Sequence, residues 1–456
     1  MSRYDHPSAV AAPGTPGLPP RFKMAIDPTT AHRDLWKWCR AQGFAGYDPY
    51  DALNSRLFQA TPFKRSRTSR LAWTQFHKRS PINFRSLVCI PRERNSKAIA
   101  LFALAAMADY RRDRTRETEI EGRELLDDLM WMRLKGYSGA AWGYNFDWQS
   151  RALFVPRGTP TIVPTAFAGR ALCEAAEIFG RDEYLPFART ICDFILNDLN
   201  RFEEASDEVC FSYSPLDRTR VFNASLLAAE TLASVGKLAG ETSLSEWAIR
   251  AARYVTRRQR QDGSWAYGAD EYQSWSDSFH TAFILTSLSR LISTFAYGDM
   301  SSGQHKPLSA NGEKAGSEAF ARVTPPHPVH TSWEGQQRAF VAGAEAALRR
   351  GYEFWSERFF LENGWPKYYP DRLYPADAHS AASAIVTLIE LRGRIPGTMV
   401  LAEKIAHWAI ENLRDRRGFF HYQRRRFHTV RIPHLRWSEA WMTYALARLL
   451  EGKSKK

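Results

Sequence analysis

Apolar positions along this chain recur with helical periodicity in twelve stretches, and the stretches are of two kinds. One kind carries a single apolar stripe: about 31–42, 118–134, 183–199, 243–259, 338–360 and 399–414. The other is apolar on most of its circumference: about 96–110, 164–179, 222–235, 279–294, 379–392 and 437–450. A helix with one stripe lies at a surface, and a helix apolar all round is buried. The two kinds alternate strictly, so the pattern predicts six outer and six inner helices.

The connections from outer to inner helix are long and aromatic. They read "AAWGYNFDW" (140–148), "VCFSYSP" (209–215), "GSWAYGADEYQSW" (263–275), "GWPKYYPDRLYP" (364–375) and "GFFHYQRRRF" (418–427). Phe211 to Trp265 spans 54 positions, and Trp365 to Phe419 spans 54 again. Such a beat marks a repeat architecture. Six hairpins in alternation predict a closed ring, which removes the exposed ends of an open solenoid. The expected fold is therefore all-α, an (α/α)6 toroid with short strand-like aromatic loops at one rim. Open repeats such as TPR or HEAT have shorter loops and periods. The expected plan is a disordered tail at 1–30, one toroid domain at 31–450 and a basic tail at 451–456. A flexible, Ser/Gly/Pro/His-rich insertion is expected at 298–335. At the helix exit "YVTRRQRQDGSWAYG" (254–268), Gln259 and Gln261 should tie the helix end to the turn. Gly263 should allow the reversal, and Trp265 should wedge it against the next hairpin.

Composition narrows the partners. The formal charge is +14, which favours an anionic partner. Cys39, Cys89, Cys173, Cys192 and Cys210 are scattered, with no CxxC and no Cys/His pair at metal-ligand spacing. Reduced thiols in a cytoplasmic setting are expected, with no metal and no cofactor. No secretory h-region and no apolar run of membrane-spanning length is present. The basic runs "FKRSRTSR" (63–70) and "QRRRF" (423–427) come without a nucleic-acid motif. Nucleic acid is therefore not the expected partner. A membrane-peripheral contact with anionic lipid is preferred.

In a toroid of this kind the outer-to-inner connections gather at one rim and converge on the central cavity. Asp277 and His280 in "SDSFH" lie three apart at a helix start. Asp277 is either an N-cap or the group that orients His280 for acid/base work. Asp377 and His379 in "DAHS" repeat the arrangement. Asp147 is a rim carboxylate whose ordinary role would be an ion pair with Arg151. Glu439 is a candidate buried acid, to be neutralised by Arg436 or Arg431. With Tyr213 and Asp371 these complete the catalytic candidates. The substrate-binding candidates are Trp142, Tyr144, Asn145, Trp148 and Arg151 in the first aromatic loop, then Asn223, Trp265, Tyr267 and Trp275. Tyr368, Tyr369, Arg372, Tyr374, Arg436 and Trp437 complete that set. Aromatic faces cover the C–H side of a sugar ring, and Arg grips a uronate carboxylate in bidentate fashion. A terpene would want few charges. The favoured ligand is an acidic oligo- or polysaccharide or a lipid-linked saccharide. Two carboxylates at glycosidase separation would make a hydrolase. A Tyr/His/Arg set around a uronate would suit a lyase or epimerase.

"AARYVTRRQRQDGSW" (251–265) resembles the repeat of terpenoid cyclases, and the predicted ring resembles the terpenoid-cyclase and prenyltransferase toroids. A larger set of motifs resembles toroid proteins of bacterial exopolysaccharide clusters, the VpsJ-like group. These are "YDPYDALNS" (47–55), "WGYNFDWQSR" (142–151), "SYSPLDRTRVFNASLL" (212–227), "SDSFHTAFIL" (276–285), "KYYPDRLYPADAHSAA" (367–382) and "RIPHLRWSEAWMTYALA" (431–447). That resemblance implies a role in polysaccharide biosynthesis. The cyclase acid motif DxDD and the diphosphate motif DDxxD are absent, and "LLDDLM" (125–130) lies in an outer helix. Two alternatives stay open: a terpenoid-cyclase-like enzyme, and a non-catalytic glycan-binding subunit of a polysaccharide assembly system.

Overall fold

The computed structural model describes residues 26–149, 154–296 and 332–454. Residues 1–25 of the expected tail, Arg151, and 298–331 of the expected insertion lie outside them. The outer helices are α1 (Pro28–Ala41), α5 (Arg116–Trp131), α7 (Arg181–Asn197), α9 (Thr242–Thr256), α11 (Trp333–Phe359) and α13 (Thr398–Leu413). The inner helices are α4 (Ser96–Asp113), α6 (Ile162–Ile178), α8 (Phe222–Ala239), α10 (Ser278–Ala296), α12 (Ala378–Glu390) and α14 (Ala440–Ser454). Two short helices, α2 (Arg56–Gln59) and α3 (Arg67–Arg79), fill the basic stretch between the first outer and first inner helix. The periodicity had not marked them. Side-chain caps set several starts. Asp27 accepts from the Thr29 and Thr30 N–H groups at α1, and Asn95 accepts from Lys97 and Ala98 at α4.

The inner helices touch in chain order from α4 to α14, and α14 returns to α4, closing the ring. Each inner helix from α4 to α12 packs on the outer helix that follows it. The sixth pair joins α14 to α1 from the other end of the chain. The inner helices are Ala-rich and buried throughout; every residue of α4 from Ser96 to Asp109 is enclosed. The core is therefore the double wall itself.

The long loops follow one plan. A Cβ on Gly139, Gly263, Gly364 or Gly418 would sit 1.7, 2.4, 2.5 or 2.8 Å from a backbone oxygen of α7, α11, α13 or α1. Glycine lets each loop press directly on the next outer helix. In the loop after α9, Gln259 donates to the Gly263 and Ala347 carbonyls, both at 2.9 Å. Trp265 is buried, donates to the Val255 carbonyl at 3.0 Å, and seats its ring on Gly351 of α11. Short antiparallel pairs stiffen the same loops: β1 (Trp148–Gln149) with β2 (Phe154–Val155), and β3 (Arg201–Phe202) with β4 (Cys210–Phe211). A third sheet joins β5 (Ala376–Asp377), β6 (Gln423–Arg424) and β7 (Thr429–Val430).

The opposite end of the ring is closed by ion pairs between inner helices. Arg111 binds Glu174 and Glu451, and Arg170 binds Glu230. Arg290 lies within 3.6 Å of Glu174, Glu230 and Glu390, and Arg448 reaches Glu390 and Glu451. Arg111, Arg290 and Arg448 are each shared by more than one carboxylate, and Arg170 is bound by both oxygens of Glu230. This is how buried charges are tolerated.

Candidate functional site

At the loop rim the ring opens into a cavity of about 580 Å³. Its wall is built from the outer-to-inner loops: Tyr144, Phe146 and Trp148 after α5, Tyr213 after α7, Tyr267 and Trp275 after α9, Tyr368, Tyr369 and Arg372 after α11, and Arg436 and Trp437 before α14. One side of α3 (Leu71, Gln75, Lys78 and Arg79) completes it. Convergence of these loops on one chamber is what the ring required.

Asp277 and His280 stand at the start of α10, on the cavity wall. Asp277 is 2% exposed and uses both oxygens. Oδ1 accepts the His280 N–H at 3.0 Å and caps the helix, while Oδ2 meets His280 Nδ1 at 2.7 Å. The capping and orienting roles are thus held by one residue. A carboxylate can only accept, so Nδ1 donates to it, and in the neutral ring Nε2 is then the acceptor. The His280 ring is held edge-on by Tyr267 at 4.6 Å, and Tyr267 stacks on Trp275 at 4.8 Å.

"DAHS" does not repeat the arrangement. Asp377 caps α12 through the Ser380 N–H at 2.8 Å and receives the Trp437 indole N–H at 3.4 Å. It lies behind the wall, where burial raises its carboxyl above the usual range. His379 lines the cavity with both ring nitrogens unpartnered among the described residues. Burial, with Lys97 and Arg436 nearby, holds it well below an ordinary histidine, so it is neutral. The spacing explains the difference: Asp277 reaches its histidine three residues on, one helical turn away, whereas His379 is two residues on and points to the other side.

Lys97 is a wall residue that the sequence reading missed. It starts the first inner helix, is 2% exposed, and lies 4.5 Å from the Phe167 ring centre, 5.1 Å from Phe283 and 5.2 Å from Trp441. Burial holds its amine well below the lysine range. A lysine heading a wholly apolar helix was the available signal, since lysine is almost never buried unpaired. Arg436 is also enclosed, with a bidentate pair to Asp48 at 2.7 and 2.8 Å. Asp48 was another omission.

Glu439 differs from expectation. It neither lines the cavity nor meets Arg436. It accepts the Phe420 N–H at 3.0 Å, and burial pushes its carboxyl up to about 8. The cause is a π-helical turn at Leu435–Glu439, which widens the local helix and swings the two side chains apart. Asp147 accepts the Arg157 N–H at 2.7 Å at the rim, and its expected partner Arg151 lies outside the described residues. Asp371 pairs with its neighbour Arg372 at 3.2 Å in solvent. Neither aspartate is a wall residue. Tyr213 is, with its hydroxyl 3.1 Å from that of Tyr144. Of the binding candidates, Asn223 also lines the cavity. Four others instead build the loops: Trp142 donates to the Leu129 carbonyl, Asn145 joins Asn95 and Glu93, Trp265 forms its wedge, and Tyr374 packs on Trp365.

No protein-family model and no curated protein matches the chain. Solved structures do. A cellobiose 2-epimerase from Bacillus thermoamylovorans aligns at TM-score 0.54 and 12% identity, over 79% of this chain and 88% of that one. An unsaturated glucuronyl hydrolase specific for heparin aligns at 0.54 and 12%, over 93% and 96%. A possible GH105-family member from Salmonella enterica aligns at 0.53 and 11%, over 97% and 98%. At these identities the likeness shows the fold, the (α/α)6 toroid.

Proposed function

We propose that the chain is a glycan-processing enzyme that holds an acidic saccharide in the rim cavity and removes a proton from it with His280. The observation that carries the reading is the Asp277–His280 pair at 2.7 Å, on a wall whose other charged groups are all cationic. Those are Lys78, Arg79, Arg372 and Arg436, with the buried Lys97 amine beside them. A uronate carboxylate suits that field, and the rings of Tyr267, Trp275, Tyr368 and Trp437 suit its C–H faces. The named activities of the similar structures, an epimerase and a glucuronyl hydrolase among them, agree with a saccharide ligand.

His280 Nε2 would take the proton beside the carboxylate, and the carbanion charge would spread onto carboxylate oxygens facing the cations. Return of a proton to the opposite face gives epimerisation. Expulsion of the adjacent glycosidic oxygen gives a lyase product. Tyr213 and Tyr267 are held protonated by burial and are suited to donate. Hydrolysis by two carboxylates is the weaker reading, because Asp277 is the one carboxylate on the described wall and it is committed to His280. A terpenoid-cyclase chemistry fits less well still, since a cationic wall repels a carbocation. The resemblance to the VpsJ-like group extends the proposal to bacterial exopolysaccharide biosynthesis, with a lipid-linked acidic saccharide as the form in which the substrate arrives.

The test is a glycan array followed by incubation of the best binders in D2O. Deuterium entering the uronate carbon, or an unsaturated uronate product, is expected from the wild type and not from His280→Gln. Hydrolysis without exchange would replace the mechanism. Binding without any product would favour a non-catalytic glycan-binding subunit.

A further inference from the structure

Between Arg56 and Arg92 the chain carries nine Arg or Lys residues and no Asp or Glu. This stretch contains α2 and α3, and it folds around an open apolar groove of about 520 Å³. Leu57, Phe58, Phe63, Trp73, Phe76 and Val88 line it. Trp73 stacks between Phe58 and Phe76, with ring centres 5.4 and 6.1 Å apart. Phe63 is 61% exposed and Phe76 51%, and the basic Arg56, Lys64 and Arg65 are exposed on the same segment. The helix is therefore two-sided. Leu71, Gln75 and Lys78 face the cavity, while Ala72, Trp73 and Phe76 face the groove.

Exposed rings amid basic side chains, with no acid to balance them, match the interface of an anionic bilayer. A protein partner would need a matching acidic slot. A bilayer needs only negative headgroups and an apolar layer beneath. Among the described residues no helix is long and apolar enough to cross a membrane, so the contact is lateral. We propose that the α2–α3 segment seats the protein on an anionic membrane surface. Phe63 and Phe76 enter the interface, and Lys64 and Arg65 meet headgroups. The same helix forms part of the cavity wall, so the site is held at the membrane, where a lipid-linked ligand would lie. The surface stands on its own geometry, apart from the chemistry assigned to His280.

Flotation of the full chain with vesicles tests it, using phosphatidylcholine alone and phosphatidylcholine mixed with phosphatidylglycerol. The wild type is expected to float only with the charged vesicles and to be released by salt. At about fivefold per basic side chain, Lys64→Gln with Arg65→Gln should weaken binding about 25-fold. Phe63→Ser with Phe76→Ser should abolish flotation, and circular dichroism checks that this pair still folds. If it does not, the Lys64/Arg65 variant decides alone. His280→Ala should float like the wild type, which separates this surface from the saccharide chemistry. Failure of the wild type to float, or equal flotation with neutral vesicles, overturns the proposal. So does a dimer in sedimentation that Phe63→Ser with Phe76→Ser dissolves, because a second copy would then cover the groove.

Discussion

Asp277→Asn separates the two duties of one side chain. The amide oxygen can still accept the His280 N–H, now at 3.0 Å, and Asn caps a helix about as well as Asp. The other oxygen, 2.7 Å from His280 Nδ1, becomes an NH2 group. It now presents a donor where an acceptor stood, so the ring must flip its tautomer and put its proton on Nε2. The base is then blocked while the cavity keeps its shape. Exchanging one charge-assisted hydrogen bond for a neutral one costs about 1 kcal/mol net, or roughly 1 °C in Tm for a chain of this length. The wrong tautomer costs about a thousand- to ten-thousand-fold in kcat, with KM nearly unchanged, since Asp277 acts through His280. Proton exchange on a uronate oligosaccharide reads the rate, and a thermal melt followed by circular dichroism reads the fold. Asp277→Ala is the control. It should lose the same activity and about another 1 kcal/mol through the missing cap. Wild-type exchange by Asp277→Asn would refute the orienting role. A collapse of Tm by more than about 10 °C would show that the residue is chiefly a strut.

Three further outcomes follow from the packing. Glu439 has a folded-state value near 8 against an ordinary 4.5. Below that ordinary value both states hold the proton. Between the two, the unfolded chain ionises and the folded one does not, so stability is lost as pH rises across the window, by on the order of 5 kcal/mol. Glu439→Gln should therefore raise Tm more at pH 8 than at pH 5, and an equal gain at both would contradict the burial argument. Gly351→Ala would set a methyl 2.3 Å from the Trp265 ring, so denaturant unfolding should show a loss of about 1–3 kcal/mol; no loss would mean the wedge is slack. Arg290→Met should cost about 1–3 kcal/mol, because Glu174, Glu230 and Glu390 keep Arg111, Arg170 and Arg448 but lose the cation they share, and adding Glu390→Gln should recover part of it in urea melts.

The double ring was legible because its cause is local. Each helix announces its depth by how much of its circumference is apolar, and each loop by its Gly and aromatic residues. Asp277 and His280 were legible for the same reason, since one helical turn joins them. Arg170 and Glu230 were not, because 60 positions separate them and only the packing of α6 against α8 brings them to 2.7 Å. Asp48 needed the same knowledge, because its partner Arg436 lies 388 positions away. Glu439 misled because a π-helical turn breaks the regular spacing on which the Arg436 pairing rested. The α2–α3 segment was read as a basic run and not as helices, since α2 is a single turn and α3, though as long as α12, buries only Thr74 and His77 and so carries no continuous apolar stripe.

The pairing of α14 with α1 bears on how the molecule is made. Five hairpins are built from neighbours in sequence and can form as the chain emerges from the ribosome. The sixth cannot, because α1 must wait for residues more than 400 positions later. Until then α4 has an uncovered flank where α14 will lie, and α1 lacks its inner partner. Folding is therefore completed as a clasp. The exposed flank before closure is the stage at which a chaperone, or a neighbouring nascent chain, has access to the apolar wall.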